Sequence, residues 1–212
     1  MQKNEFIRIS YGGKIKESGQ QFDSAENAPV IVGAEFVIPG LDEVLKQMQV
    51  GEKRTVEISP EDGFGQRDPK LIKLIPESEF KKHDTKPYPG MFVSADKLQG
   101  RVLSVSSGRV RVDFNHPLAG KVLIYDLEVK ERIENTEDKI KAVIEFYTKL
   151  DKNKINTKIN NKEVEIEVPP IIPGIVKKKI ADDIIKYVEL ERVKFSEIFE
   201  RPKKEAEKTK SD

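Results

Sequence analysis

Cysteine is absent from this 212-residue sequence, and so is tryptophan. Without cysteine there is no disulfide, no zinc–thiolate site, no iron–sulfur cluster and no thiol nucleophile. Such a composition fits a reducing compartment, so a cytoplasmic location is expected. Histidine occurs only at His83 and His116. Two are too few for a multi-histidine centre, and neither a metal nor a cofactor is expected. Charge of one sign is missing too: 38 Lys+Arg face 37 Asp+Glu, a net charge of +1. A dedicated nucleic-acid binder usually carries a basic excess, so no nucleic-acid partner is expected. Apolar runs such as PVIVGA and VPPIIPGIV fall far short of the roughly 20 residues that span a bilayer. MQKNEFIRIS lacks the apolar core of a secretory signal, so no membrane partner is expected either. What the chain has in quantity is charge, 35% of its residues, compatible with a thermophilic source. Its 13 Gly and 12 Pro are spread along the sequence and exclude a single long coiled coil.

The first 65 residues read as strands around one short helix. Ile7, Ile9 and Tyr11 alternate with Arg8 and Ser10 over 5–11, the period of a half-buried strand. PVIVG at 29–33 is a short apolar strand. Leu41, Val44, Leu45 and Met48 then fall on one face of a two-turn helix that Gly51 ends. A strand over 53–59 stops at Pro60. This order predicts an α+β fold, an antiparallel sheet with a helix packed on one face.

From Pro69 to Pro117 short β runs follow: 71–75, 91–95, 101–105 and 109–114, with Ser106-Ser107-Gly108 as a hairpin turn. This unit is too small for much core of its own. KVLIYDLEVKER at 121–132 alternates strictly and reads as a return to the first sheet, which makes the unit an insertion. After Glu134 the order is α-β-β-α-β. Asn135 or Thr136 caps a helix with Ile140, Val143, Ile144, Tyr147 and Leu150 on one face. A hairpin at 154–168, a helix at 175–190 and a strand at 193–199 follow. The expected domains are 1–69 with 117–135, an inserted small β domain at 70–116, a C-terminal α+β domain at 136–200, and a charged disordered tail at 201–212.

No nucleophile elbow, HExxH, Walker loop or dinucleotide fingerprint is present. The pairs Glu61-Asp62 and Asp182-Asp183 read as solvated surface, His83 as exposed, and His116 as a hydrogen-bonding residue of a compact turn. What remains is apolar and aromatic: Tyr11, Phe22, Asp23, Val37, Ile38, Leu41, Phe64 and Tyr125, from strand ends, loops and the helix start. Taken alone, most of these read as core.

Their order and spacing carry a resemblance. ISYGGKI, GQQFDSA, PVIVG, FVIPGLDEVLKQMQVGEKRTVEISPEDGFG and LIYDLEVKE follow in order the pattern of FKBP-type peptidyl-prolyl cis-trans isomerases. IKLIPESEF and SGRVRVDFNHPLAGK look like the long, SlyD-like branch with an insert-in-flap chaperone domain, and the C-terminal segment is similar to the extra domain of archaeal long-type members. The resemblance implies a bent antiparallel sheet with a short helix. It implies a pocket walled by Tyr11, Phe22 and Tyr125, with Val37 and Ile38 at the rim, the Ile38 amide binding a substrate carbonyl, and Leu41 on the floor. Asp23 would accept a hydrogen bond from Tyr11, Phe64 would cover one side, and Leu118 would contact the proline from the flap. Small drug-binding members often have Trp where Leu41 stands and Tyr where Phe64 stands, so tight macrolide binding does not carry over. Nickel delivery does not carry over either, because the tail holds no His or Cys.

The expected activity is acceleration of proline-limited folding, with unfolded or proline-containing polypeptides as partners. Met91, Val93 and Val102 are expected to bind such chains, from exposed edges at 91–93 and 102–105 that pair by strand addition; the bland reading makes them the insert's own core. A homodimer through the C-terminal domain is left open, with the Ile140/Ile144/Tyr147 or Ile180/Ile184/Val188 face as its interface. The rival reading is a holdase or interaction scaffold with a vestigial pocket, which the missing hydroxyl at Phe64 would favour. A nucleic-acid-binding module at 101–111 rests on three arginines and a hairpin.

Overall fold

The computed structural model describes residues 1–95 and 98–197. The expected tail at 201–212, and the last two residues of the strand expected at 193–199, lie outside them. The fold is α+β, with three sheets. The first is four-stranded and antiparallel, in the order β2-β1-β8-β3. Its strands are β1 (Phe6–Ile15), β2 (Gln21–Ile31), β3 (Lys53–Ile58) and β8 (Leu123–Arg132). Register shifts in β1 at Ile9/Tyr11 and Gly13/Lys14 mark bulges, which bend and twist the sheet. Helix α1 (Pro39–Gln47) follows Ile38, with Pro39 in its first turn where a missing N–H costs nothing. Leu41, Leu45 and Met48 face the sheet and join Ile7, Ile9, Val32, Leu123, Leu127 and Val129 in one core. The alternation along β8 is as expected: Leu123, Tyr125, Leu127 and Val129 are buried. The strand expected at 29–33 is the end of the 11-residue β2. Its first eight residues are mostly exposed and polar, so they show no alternation.

Between β3 and β8 lies the second sheet, order β4-β7-β6-β5. It comprises β4 (Ile72–Pro76), β5 (Phe92–Ala95), β6 (Leu98–Ser106) and β7 (Arg109–Asp113). A one-turn helix α2 (Glu77–Lys81), not anticipated from the sequence, follows β4. The buried core is small: Val102, Val110, Val112 and Phe114. This corrects the expectation for Val102. It is 1% exposed, and β6 is an inner strand paired on both sides. The free edges are β4 and β5.

The third sheet, order β11-β10-β9, contains β9 (Asn156–Asn160), β10 (Glu163–Val168) and β11 (Arg192–Glu197). Strand β10 is antiparallel to β9 and parallel to β11, the latter reached through helix α4 (Gly174–Val188). Helix α3 (Thr136–Thr148) is capped by Asn135, whose side chain accepts from the N–H groups of Glu137 and Asp138. The helix faces considered for a dimer are used inside the chain: Ile140, Ile144, Ile180 and Ile184 are fully buried in one core, with Tyr147 and Val188 packed against it. That core also takes in Phe6 and Ile31 from the first sheet and Ile133 just after β8. Arg8 of β1, 4% exposed, donates to both carboxylate oxygens of Glu145 on α3, at 3.2 and 2.9 Å, and to Asn27 O at 2.7 Å.

Candidate functional site

Four aromatic rings meet beside α1, brought from four segments. Tyr11 comes from β1, Phe22 from β2, Tyr125 from β8 and Phe64 from the loop after β3. Ring centroids are 6.1 Å apart for Tyr11 and Tyr125, 5.7 Å for Phe22 and Tyr125, and 6.5 Å for Phe22 and Phe64. The last two pairs are edge-to-face, the arrangement that aromatic quadrupoles favour. Gly13 lets them converge: a Cβ there would stand 2.8 Å from Phe22 Cζ and 2.9 Å from Tyr125 Cε1. Leu41 and Tyr125 are buried in the first core, and Tyr11, Phe22, Val37, Ile38, Phe64 and Leu118 pack against it half-buried. All eight pocket residues expected from the sequence, and Leu118, thus belong to one region, with Asp23 at its margin.

The site's polar groups are few. Tyr11 Oη donates to Asp23 Oδ2 at 3.0 Å. Burial, then the bond to Asp23, pushes the Tyr11 phenol up to about 12. Burial first, and the Asp23 charge second, does the same to Tyr125. Both phenols stay protonated at neutral pH, so their hydroxyls remain available as hydrogen-bond donors as well as acceptors. Ile38 O accepts from the N–H groups of Leu41 and Asp42, which starts the helix. Among the described residues its N–H meets no acceptor, so a donor stands at the rim.

Two residues of the site were not read as such from the sequence. His116 stacks on Phe64 with centroids 4.4 Å apart and planes 5° from parallel. Its Nδ1 accepts from Leu118 N–H at 3.2 Å, so one imidazole braces both the wall and the flap. The compact turn was legible; the partner ring, about 50 residues away, was not. Phe36, next to the rim, is the other.

An open cleft of about 580 Å³ on the sheet borders the aromatic site at Tyr11 and is otherwise lined mainly by polar and charged residues, among them Ser10, Lys53, Thr55, Asp126 and Glu128. Its mixed charges suit neither a proline ring nor a dry site. In the insert, a groove of about 450 Å³ runs along the β5 edge, lined by Ile75, Phe80, His83, Met91, Phe92 and Val93. Met91 and Val93 line this groove, apart from the aromatic site, while packing half-buried against the insert's own core, in which Val102 is fully buried. Phe92 is 73% exposed. Among the described residues no group of three or more His, Asp or Glu is arranged to hold a metal, and no helix is long and apolar enough to cross a membrane.

Comparison with known proteins agrees with this geometry. The model of the FKBP-type peptidyl-prolyl cis-trans isomerases matches residues 1–87. The FKBP26 IF-domain model matches 73–118, and the FKBP26 C-terminal model matches 136–200. The short-type peptidyl-prolyl cis-trans isomerase of Methanocaldococcus jannaschii is 34% identical over 146 residues, 62% of this chain and 93% of that protein. A probable FKBP-type 16 kDa peptidyl-prolyl cis-trans isomerase of Pseudomonas fluorescens is 37% identical over 121 residues, 53% of this chain and 79% of that protein. SlyD of Helicobacter pylori, also an FKBP-type isomerase, is 30% identical over 140 residues, 63% and 76% of the two chains. The chain belongs to the FKBP-type peptidyl-prolyl cis-trans isomerases.

Proposed function

We propose that this chain catalyses prolyl cis/trans isomerisation in the aromatic site and captures unfolded chains with its insert. Rotation about an X–Pro bond must break amide resonance, a barrier of about 18–20 kcal/mol. The two end states differ by only about 1 kcal/mol, so the obstacle is kinetic. A twisted amide is less polar than a planar one, and a dry apolar pocket favours it differentially. No acid or base is needed. Tyr11, Phe22, Phe64 and Tyr125 wall the proline ring, Leu41 forms the floor, and Leu118 closes from the flap. Val37 and Ile38 form the rim, where the Ile38 N–H holds the substrate carbonyl through the twist. Asp23 fixes the Tyr11 hydroxyl. The observation that carries this reading is the convergence of four rings, two of them over Gly13, beside an uncommitted rim N–H.

The insert adds affinity. The β5 edge offers unpaired backbone groups beside an apolar groove, the arrangement used in strand addition. Extended client segments would pair with Phe92–Ala95 and place apolar side chains against Met91, Val93 and Phe80. Tethering this groove beside the pocket raises the local concentration of proline sites. Newly made or unfolded cytosolic proteins are the clients such a pair of sites suits.

The test is isomerisation of a short prolyl peptide by the full chain and by Tyr125→Ala. Clear acceleration by the full chain is expected. A loss of at least roughly tenfold in kcat/KM is expected for the variant, equivalent to about 1.4 kcal/mol of transition-state stabilisation. If the full chain suppresses aggregation of an unfolded protein yet leaves the peptide rate unchanged, the holdase reading takes its place.

A further inference from the structure

The rim that carries Val37 and Ile38 is weakly held by its own backbone. Val32 is the last residue of this segment bonded to the N-terminal stretch leading into β1, through Glu5 O and Asn4 N–H. Helix α1 begins only at Pro39. Between them Ala34 to Val37 have no strand partner, and Glu35 stands at φ 60°. A non-glycine residue keeps that conformation only where its surroundings fix it. One anchor is Asp42, a buried carboxylate on α1 whose Oδ1 accepts from Gly33 N–H at 2.7 Å.

The second anchor comes from the C-terminal domain. Phe36 lies against Phe146 of α3, centroids 4.1 Å apart and planes 38° apart, and against Tyr147 at 6.2 Å. Phe146 and Tyr147 are edge-to-face at 5.2 Å. Tyr147 Oη donates to Asp183 Oδ2 of α4 at 2.6 Å, which locks the cluster to the second helix. Lys149 Nζ stands 5.4 Å from the Phe146 ring centre. Among the described residues, Phe36 is the one side chain packed against both large cores. It is separated from the Ile38 amide by a single residue.

We propose that Phe146, backed by Tyr147, is a positioning residue for isomerisation: through Phe36 it sets where Val37 and the Ile38 N–H stand. The C-terminal domain is then part of the pocket's scaffold although it touches no substrate. This rests on the pocket proposed above. The physical reason is that a rim donor works only when aimed, and small displacements of positioned groups cost rate steeply. A loop without strand partners takes its aim from what its side chains pack against.

The test uses the full chain and a short prolyl peptide, which has too little length to engage the insert. Phe146→Ala is expected to lower kcat/KM roughly three- to tenfold, with KM raised as well as kcat lowered. A merely smaller folded fraction would lower kcat alone. The amide resonances of Val37 and Ile38 are expected to shift. Phe146→Tyr, which keeps the ring, should restore both. Val193→Ala, which thins the same core away from the loop, should leave rate and resonances unchanged. Phe36→Ala approaches the contact from the other side, and its effect should not add to that of Phe146→Ala. If Tyr125→Ala abolishes activity while Phe146→Ala and Phe36→Ala leave kcat/KM and the Ile38 resonance unchanged, this inference fails and the pocket stands. If Tyr125→Ala has no effect, the pocket itself is misplaced.

Discussion

The insert and the C-terminal domain are both additions to one four-stranded sheet, yet they are attached in opposite ways. The C-terminal domain shares a core with the sheet: Phe6, Ile31 and Ile133 are buried among Ile140, Ile144, Ile166 and Ile180. The insert's core contains no residue of that sheet. A polar neck holds it instead. Asp68 N–H donates to Asn115 Oδ1 at 2.8 Å, Asn115 Nδ2 donates to Asp68 O at 3.0 Å, and Gly120 N–H donates to Gly65 O at 2.8 Å. Arg67 pairs with Asp113 across the same neck. A shared apolar core makes two units one cooperative body, whereas a neck of hydrogen bonds lets one be exchanged without cost to the other. A capturing module benefits from the second arrangement and a scaffold from the first.

The largest effect expected from this contrast is on deletion. A chain ended at residue 135 exposes Phe6, Ile31 and Ile133. At about 1.5–3 kcal/mol for each large apolar side chain, that loss is on the order of 5 kcal/mol, against a typical total stability of about 5–15 kcal/mol. The truncated chain is expected to melt far below the full chain or to aggregate. Replacing residues 72–114 by a short loop should leave the remainder folded and its peptide isomerisation within roughly twofold. The same replacement should remove most of the acceleration of proline-limited protein refolding. Calorimetry and paired peptide and protein assays read this directly. A truncated chain as stable as the parent would break the comparison, and so would a loop variant that loses the peptide reaction.

A smaller effect sharpens the same junction. Arg8 is buried, with Glu145 across the interface at 2.9 Å and the exposed Glu131 of β8 at 3.7 Å. Removing Glu145 leaves the guanidinium with only that more distant, solvent-screened carboxylate, a cost approaching the roughly 3–5 kcal/mol of a stranded buried charge, while an apolar replacement of similar volume is often close to neutral. Glu145→Ala should therefore shift the urea midpoint down strongly, and Arg8→Met much less. Exposed Asn27 O can take a water in place of the Arg8 N–H. Equal losses in the two variants would mean that the pair holds the domains by attraction rather than by avoiding a stranded charge.

What could be read without coordinates follows the range of the interactions. Helix α1 and strand β8 were legible because Leu41, Leu45 and Met48, and Leu123 through Val129, repeat at the periods of their elements. The first eight residues of β2 were not, because Gln21 to Ala28 form an exposed edge with no apolar face. Val102 was misread because one sequence cannot say which strand of a four-stranded sheet is inner; its alternation fits an edge as well as a centre. The helix faces of the C-terminal domain were correctly seen as apolar, but what covers them was not visible. The residues that converge in the aromatic site were legible through the order of their segments. The two contacts that brace it, His116 on Phe64 and Phe146 on Phe36, join residues about 50 and 110 positions apart, and no local pattern announces such pairs.

The proposed chemistry depends on the aromatic site excluding water, and its two tyrosines report on that. Each phenol is pushed from 10.0 up to about 12, with burial as the leading cause. A raised folded-state value means stability that is fully present below pH 10 and lost as the pH rises through about 12. Tyrosinate absorbance of the full chain minus that of Tyr11→Phe, and minus that of Tyr125→Phe, should each show one phenol ionising near 12. Ionisation near 10 would mean that water reaches the rings and that the apolar pocket is open in solution. Asp23→Asn separates the causes. Burial is the leading cause for both phenols, but Asp23 acts on Tyr125 by charge alone and on Tyr11 by both a hydrogen bond and its charge. The variant should therefore keep most of the Tyr125 shift and lose more of the Tyr11 shift, while a Tyr125 phenol that returned to its ordinary value would show a site governed by Asp23 rather than by the exclusion of water.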